Sequence, residues 1–385
     1  MNNFIFENKT KVYFGKGGVK EYLGSLLGNY GETVMLAYGG GSIKRNGVYV
    51  EIMGILNAAG KRVVEFDRIM SNPTYAKVQE GAKLARENHV DLILAVGGGS
   101  VSDCCKVISA QANLDEDIWE MQYTKHTLPT KFIPLGTIVT VFGTGSEMNN
   151  GAVITNEEKK IKGALWGAQA EFAFLDPSYT LSVPMKQVIS GAFDTLSHAM
   201  ETYFGKPDEN NLSDDINEAV MRSVIRNIRV LLKDAKNYDA RSELAWASAM
   251  AENGVLKIGK VTDFQGHQIE HQLGAYTNCN HGAGLAVIHP VLYRHIYKSG
   301  AARFARWAQN VWGIVPKDNE EEAAAAGIDA LADFIREIGL PATFAELGIP
   351  ADTDFRAIAD STNVTAGCCK KLTHDEIYEI LTECK

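Results

Sequence analysis

Up to about residue 180 this chain alternates short β-rich runs with helix-like stretches, and beyond that point the strand signals stop. The runs cover residues 33–38, 61–66, 91–96, 131–135 and 171–176. Strands separated by helical stretches join as βαβ units, which means a parallel sheet covered on both faces. After Asp176-Pro177 and Pro184 come long segments of helical period, at residues 217–232, 241–253 and 321–338. A chain of 385 residues exceeds the size at which one core keeps growing, so two domains are expected. The reading is an α/β dinucleotide-binding domain over residues 1–180 and an all-helical domain over residues 181–385. No repeat, low-complexity tract or flexible linker separates them. They are expected to face each other across a cleft, with a nucleotide at the carboxyl ends of the parallel strands.

Charge and targeting exclude several partner classes. A net charge of −9 and a pI near 5.6 argue against nucleic acid or an anionic membrane, both of which require a basic surface. No segment approaches the ~20 apolar residues of a membrane span. The first residues carry neither a basic n-region nor a long apolar core, so no export signal is visible. Six cysteines, with Cys104-Cys105 and Cys368-Cys369 vicinal, do not resemble a disulfide framework. A reducing, cytoplasmic setting is expected.

Three glycine clusters sit where strands end. Residues 91–96 lead directly into Gly97-Gly98-Gly99-Ser100 and then a helix-like segment at 101–110. Glycine lets the backbone approach an anion, and a helix N-terminus presents free N–H groups. The same run is also compatible with an ordinary tight βα turn, since it is not the G-x-G-x-x-G fingerprint. Tyr38 is followed by Gly39-Gly40-Gly41-Ser42, and the fourth strand by Gly136-Thr137, Thr140 and Gly143-Thr144-Gly145-Ser146, which would otherwise be a flexible connector. Several anion-compatible turns on one sheet favour an extended dinucleotide over a lone phosphate.

The helical half holds a different chemistry. Four of the nine histidines fall in Asp194-Thr-Leu-Ser-His198, His267-Gln-Ile-Glu-His271 and His281-Gly282. Residues four apart on a helix stand on one face, so Asp194 with His198, and His267 with His271, can each grip one ion. Imidazole with carboxylate suits Fe²⁺, Zn²⁺ or Co²⁺ rather than calcium or magnesium. Either pair alone would read as an ordinary polar pair on an amphipathic helix. A metal hydrolase would leave the glycine loops unexplained, and neither H-E-x-x-H nor G-x-S-x-G occurs. Residues 54–61 lack the P-loop spacing.

Taken jointly, Gly97 to Ser100 with Asp103 and Lys106, Thr144-Gly-Ser-Glu147, the Asp194/His198 and His267/His271 pairs, and His281-Gly282 with Pro290 resemble the iron-containing (group III) alcohol dehydrogenases. The likeness is nearest to their butanol dehydrogenase and broad-range aldehyde reductase branch, which shares Gly39-Gly-Gly-Ser42-Ile-Lys. It runs from residues 11–15 to 372–377. The resemblance implies a Rossmann-like α/β domain with an all-α domain, the dehydroquinate synthase-like architecture, and a homodimer. It implies one divalent metal, Fe²⁺ or Zn²⁺, held by Asp194, His198, His267 and His281. For the nucleotide it implies Gly39, Gly40, Gly41, Ser42, Asn72, Gly97, Gly98, Gly99, Ser100, Asp103, Thr137, Thr140, Asn149 and Lys162. Leu285, His289 and Cys279 depart from the commoner family pattern and bear on the pocket's shape. His289 is read as a packed, hydrogen-bonded histidine rather than a fifth ligand.

The implied reaction is hydride transfer between NADP(H) and small primary alcohols or aldehydes, with aldehyde reduction favoured. NAD-using relatives carry an aspartate after the first strand. Here glycines and Ser42 stand there with Lys44 and Arg45 close behind, which favours NADP(H), with NAD(H) possible. Lys44 and Arg45 are also compatible with a plain solvated helix face. The alternative is an NAD(H)-preferring alcohol or glycerol-type polyol dehydrogenase. His271 is the candidate for passing the proton between substrate oxygen and solvent, or else it holds a ligand in place.

Overall fold

Residues 33–38 show no polar alternation because both of their faces lie in cores. The computed structural model describes all 385 residues, and its chain divides into two units, Glu7–Pro184 and Met185–Lys385 with Met1–Phe6. The first unit runs β1 (Lys11–Phe14), α1 (Gly18–Leu27), β2 (Thr33–Tyr38), α2 (Ser42–Arg45), α3 (Val48–Ala58), β3 (Arg62–Phe66), α4 (Tyr75–Glu87), β4 (Leu92–Gly97), α5 (Gly99–Gln111), β5 (Leu135–Val139), β6 (Gly151–Asn156), β7 (Ile161–Trp166) and β8 (Phe172–Leu175). Met35 and Ala37 of β2 share a core with Ile93 and Ala95 of β4 and with Val78 of α4 and Ile108 of α5. Val34, Leu36 and Tyr38 point into the opposite core, with Leu23 of α1 and Ile52 of α3. Burial of both faces is what a parallel sheet with helices on each side requires.

Six strands form one sheet in the order β1-β8-β5-β4-β2-β3, and every pairing in it is parallel. From β2 the chain first steps outward to β3 and then returns across β2 to place β4 on its other side. That reversal is a topological switch point, and it lies between Tyr38 and Val96, which are partners in register. Ligands of open α/β sheets bind outside the carboxyl ends of the strands at such a point. Gly39 and Gly98 therefore follow the two strands that flank it.

Three local readings change, the first being that a strand, β1 at Lys11–Phe14, precedes the run at 33–38 expected to be the first. The fourth strand was expected over residues 131–135 and instead begins at Leu135. Pro134 has no N–H to give a ladder, and Ile133 N donates to Ser109 O of α5 at 3.2 Å, so this segment is an extended lead-in. The antiparallel hairpin of β6 and β7 was not anticipated. It pairs Thr155 with Lys162, and its Ala152, Ile154 and Leu165 join the core beneath α5.

The second unit is helical: α6 (Met185–Tyr203), α7 (Leu212–Lys233), α8 (Tyr238–Glu252), α9 (Gln265–Thr277), α10 (His281–Ile296), α11 (Ala301–Trp312), α12 (Glu320–Glu337), α13 (Phe344–Leu347), α14 (Phe355–Ser361) and α15 (His374–Glu383). Asn2 N donates to Gly259 O at 3.0 Å, so the chain's first residues belong to this unit. Phe204 and Phe304 stack at 4.0 Å, and Tyr293 and Trp307 pack edge-on against Phe204. This aromatic centre buttresses the C-terminal end of α6. No helix is long and apolar enough to cross a membrane.

Candidate functional site

Three helices of the second unit supply the metal candidates. In α6 Asp194, His198 and Glu201 follow at spacings of four and three, so they share one face. Helix α9 carries His267, Glu270 and His271, and starts after Phe264, whose backbone is left-handed with φ 56°. Asn280 caps α10 by accepting from Ala283 N at 3.1 Å, which places His281 at the first helical position. A helix start defined in this way fixes where His281 points.

The four predicted ligands come together around one oxygen. Oδ1 of Asp194 lies 3.4 Å from Nε2 of His281, 3.6 Å from Nε2 of His267 and 3.8 Å from Nδ1 of His198. The Asp194, His267 and His281 ligand atoms all lie within 4.8 Å of one another. His198 stacks on His267 with ring centroids 4.5 Å apart. Asp194, His198 and His267 are buried, at 3%, 8% and 4% exposure. Oδ1 of Asp194, Nδ1 of His198 and Nε2 of His267 have no hydrogen-bond partner.

Whether a cation fits here follows from the second nitrogens. His267 Nδ1 hydrogen-bonds Glu201 Oε2, and His281 Nδ1 hydrogen-bonds Glu270 Oε2. With Nδ1 held by a carboxylate, each ring turns its Nε2 towards Asp194. Carboxylate and imidazole nitrogens then meet inside a largely buried cluster, where positive charge, a proton on an imidazole or a bound cation, satisfies them. Ligands around an ion at bonds of ~2.1 Å stand ~3.4 Å apart in tetrahedral geometry, close to the 3.4–3.8 Å from Asp194 Oδ1 to the three imidazole nitrogens, with His198 outside the group whose ligand atoms all lie within 4.8 Å of one another. The residues fit a divalent transition metal.

Charge distribution agrees. Burial alone would raise the Asp194 carboxyl, yet His198, His281 and His267 hold it well below the usual carboxylate range. Burial likewise opposes a proton on His267, but Glu201 and Asp194 pull its imidazole up to about 10. Glu201 also accepts from Gly266 N at 2.6 Å and His267 N at 3.0 Å, which locks the start of α9 onto α6. Sequence reasoning passed over Glu201 and Glu270. Their signal was present: each is an acidic residue three positions after a histidine candidate and on the same helical face.

His271 does not contact Asp194 in this way. Its ring lies 5.5 Å from His281 and 6.0 Å from His267, beside the ligand cluster. His289 is fully buried, and its Nε2 meets Ser197 Oγ at 2.5 Å. Burial pushes its pKa down to about 4, so it is a neutral packing residue, as expected. Cys279 Sγ donates to Glu270 Oε1 at 3.7 Å, and Leu285 is core.

In the first unit the predicted nucleotide residues fall into separate groups. Gly97, Gly98, Gly99 and Ser100 join β4 to α5, and Thr140 N donates to Gly97 O at 2.9 Å. A Cβ on Gly99 would sit 2.2 Å from Thr144 Oγ1, so this glycine is needed to bring the two loops together. Gly39, Gly40, Gly41 and Ser42 follow β2, and a Cβ on Gly40 or Gly41 would meet nothing within 4 Å. Thr137 lies inside β5, fully buried, with its hydroxyl unpartnered.

Asp103 faces the protein: Oδ1 accepts from Ser146 Oγ and Oδ2 from Val153 N at 2.9 Å. Beside it the fully buried Lys106 donates to Ser146 Oγ at 2.8 Å, Asn149 Oδ1 at 2.8 Å and Gly151 O at 2.7 Å. Asp103, Lys106 and Asn149 therefore brace the loop over residues 144–151. Asn72, at φ 52°, precedes Pro73, whose carbonyl accepts from Thr155 N, and Lys162 pairs with Thr155 in the hairpin. Near Gly39, Glu65 accepts from the Tyr38 hydroxyl, from Tyr49 at 2.7 Å and from Lys44 at 3.4 Å. Lys44 thus already has a carboxylate partner.

Residues 9–177 match the family model described as iron-containing alcohol dehydrogenase, and residues 188–384 match that of the C-terminal part of the Fe-containing alcohol dehydrogenase family. The chain is 38% identical to the probable NADH-dependent butanol dehydrogenase 1 of Bacillus subtilis (strain 168), over 99% of each chain. It is 35% identical to the NADPH-dependent aldehyde reductase YqhD of Escherichia coli (strain K12), over 91% of this chain and 90% of that one. Among solved structures, NADH-dependent butanol dehydrogenase A from Thermotoga maritima aligns with a TM-score of 0.94 at 33% identity, covering 100% of this chain and 99% of that one.

Proposed function

The chain belongs to the iron-containing alcohol dehydrogenase family, in its butanol dehydrogenase and aldehyde reductase branch, and from that premise we propose that Asp194, His198, His267 and His281 hold its metal while NADP(H) is its preferred cofactor. It is a metal-dependent oxidoreductase of alcohols and aldehydes that uses a nicotinamide cofactor. The observation that carries the ligand set is the convergence of three imidazoles on the buried Asp194 Oδ1. The ion is Fe²⁺ or Zn²⁺, as imidazole with carboxylate favours.

When bound, such an ion acts as a Lewis acid on an alcohol or carbonyl oxygen, which eases loss of the hydroxyl proton or acceptance of hydride. The protein's residues do the rest. Glu201 and Glu270 hold the His267 and His281 rings in one tautomer and orientation. Asp194 supplies negative charge, and an imidazole nitrogen of His271 carries the proton between substrate oxygen and solvent. In the first unit, the glycines after β2 and β4 flank the switch point; Gly40 and Gly41 leave open space for the ribose, while Gly97, Gly98 and Gly99 let the loop after β4 pack closely at the start of α5.

The substrates are small primary alcohols and aldehydes, with reduction of short linear aldehydes such as butanal favoured and polyols such as glycerol poor. NADP(H) preference is supported by the absence of a carboxylate in residues 39–42, where one would repel a 2′-phosphate. Relatives named for NADH and for NADPH both occur, so dual use is the second reading.

The test of the metal assignment separates binding from turnover. His267→Ala and His281→Ala should lose both metal retention and activity, while nucleotide affinity stays within ~2-fold of the parent, since the nucleotide loops lie in the other unit. Full activity in either variant after chelation and metal repletion would overturn the ligand set. Better turnover of glycerol than of butanol would replace the substrate reading.

A further inference from the structure

Arg68 stands at the end of β3 in a conformation that an arginine rarely adopts. Its φ is 60°, in the left-handed region, where a side chain is strained and glycine is the usual occupant. Such outliers persist where the surroundings impose them, and they concentrate at functional positions. Here the imposing partner is the first glycine loop: Arg68 N donates to Gly39 O at 3.2 Å, and Ile69 N donates to Tyr38 O at 3.2 Å. A Cβ on Gly39 would come 3.1 Å from Ile69 O. Residues 68 and 69 therefore lie directly against the position where an NAD-selective site would carry its carboxylate.

The two cations that the sequence offers for this place are less suited to it. Lys44 is drawn to Glu65 at 3.4 Å and lies over the rings of Tyr38 and Tyr49 at 5.0 and 4.6 Å. Arg45 closes the far end of α2, three residues beyond Ser42. Arg68 is 86% exposed, and its one ion pair is a loose contact with the adjacent Asp67 at 3.9 Å. Exposed pairs of that kind are weak, so the guanidinium is available to a ligand. Its planar fork of donors matches a phosphate.

We propose that Arg68 is the specificity-determining residue that receives the 2′-phosphate of NADP(H), in the place where an NAD-selective site would set a carboxylate. The inference rests on the NADP(H) reading above.

Calorimetric binding of 2′,5′-ADP and of 5′-AMP to the full-length protein tests it without turnover. The unaltered protein should bind 2′,5′-ADP more tightly than 5′-AMP. Arg68→Met should weaken 2′,5′-ADP by about tenfold or more and leave 5′-AMP within ~2-fold. Arg68→Gly, which relieves the backbone, should show the same loss with an undiminished Tm. Lys44→Met and Arg45→Met should each change 2′,5′-ADP binding by less than ~3-fold. An equal loss for both nucleotides, no loss in either Arg68 variant, or a larger loss at Lys44 or Arg45 overturns the role of Arg68 while leaving NADP(H) preference standing. No preference for 2′,5′-ADP in the unaltered protein overturns that preference and this assignment with it.

Discussion

Oδ1 of Asp194 and Nε2 of His267 face each other at 3.6 Å, too far apart for a hydrogen bond, and neither atom has another partner. The orientation is set from behind, because Glu201 accepts a hydrogen bond from Nδ1–H and also from the backbone N–H of Gly266 and His267. Removing the Glu201 charge while keeping its shape should therefore weaken the metal and spare the fold. Glu201→Gln and, at His281, Glu270→Gln are expected to lower metal affinity by roughly 10- to 100-fold, as outer carboxylates do elsewhere. Competition with a chelator of known affinity measures this, and unchanged affinity in both variants would show that these carboxylates do not orient the ligands.

His271 lies beside the rings of His267 and His281, and its nearest ligand atom is within 4.8 Å of those of Glu270 and His281. Replacing it with asparagine should leave metal content unchanged and lower kcat by ~10²-fold, the usual scale of proton transfer by a placed side chain. The pH profile of kcat/KM should lose one limb in this variant. If instead the profile keeps its shape and metal affinity falls, His271 holds a ligand in position and does not carry the proton.

How much of this was legible differs between local and tertiary features. Period alone places Asp194 with His198 and His267 with His271 on single helical faces, and the structure keeps both pairings. Nothing in the spacing says that α6, α9 and the first residue of α10 converge, since that depends on packing such as the Glu201 bond to the start of α9. The sheet was readable because its central strands are buried on both faces. The hairpin was not, because its turn at residues 157–160 contains neither glycine nor proline. Lys160 supplies the left-handed residue instead, at φ 52°, and Asn156 Oδ1 accepts from Lys159 N at 3.1 Å. For the same reason Arg68, a left-handed residue without glycine, left no mark in the pattern of turn residues.

Acid should destabilise the helical unit through His289. Burial lowers its folded pKa to about 4, from 6.5, so the folded form holds it neutral while the unfolded chain takes up a proton. Stability from this group is fully present above pH 6.5, and it is lost as pH falls from there towards 4. The full loss amounts to about 3 kcal/mol. Urea unfolding at pH 7 and pH 4.5 should show a larger drop in the parent than in His289→Gln, which cannot gain a proton. An equal drop in both assigns the acid sensitivity to other groups.

The loop after β2 offers a direct test of cofactor choice. Gly40 has open space around a Cβ, whereas at Gly39 the backbone oxygen of Ile69 stands 3.1 Å away, so an aspartate fits the first freely and the second only after a small shift. A carboxylate at either position would accept bonds from the ribose hydroxyls and repel a 2′-phosphate. Gly39→Asp and Gly40→Asp should therefore move the ratio of kcat/KM for NADPH over NADH towards NADH, by about tenfold for each ~1.4 kcal/mol of repulsion gained. Most of the change should appear in KM for NADPH, because the substitutions lie in the nucleotide loop and not at the metal. The parent enzyme is expected to favour NADPH on butanal. A parent that favours NADH on the same aldehyde, with a ratio that neither aspartate alters, would mean that these glycines do not read the 2′ position.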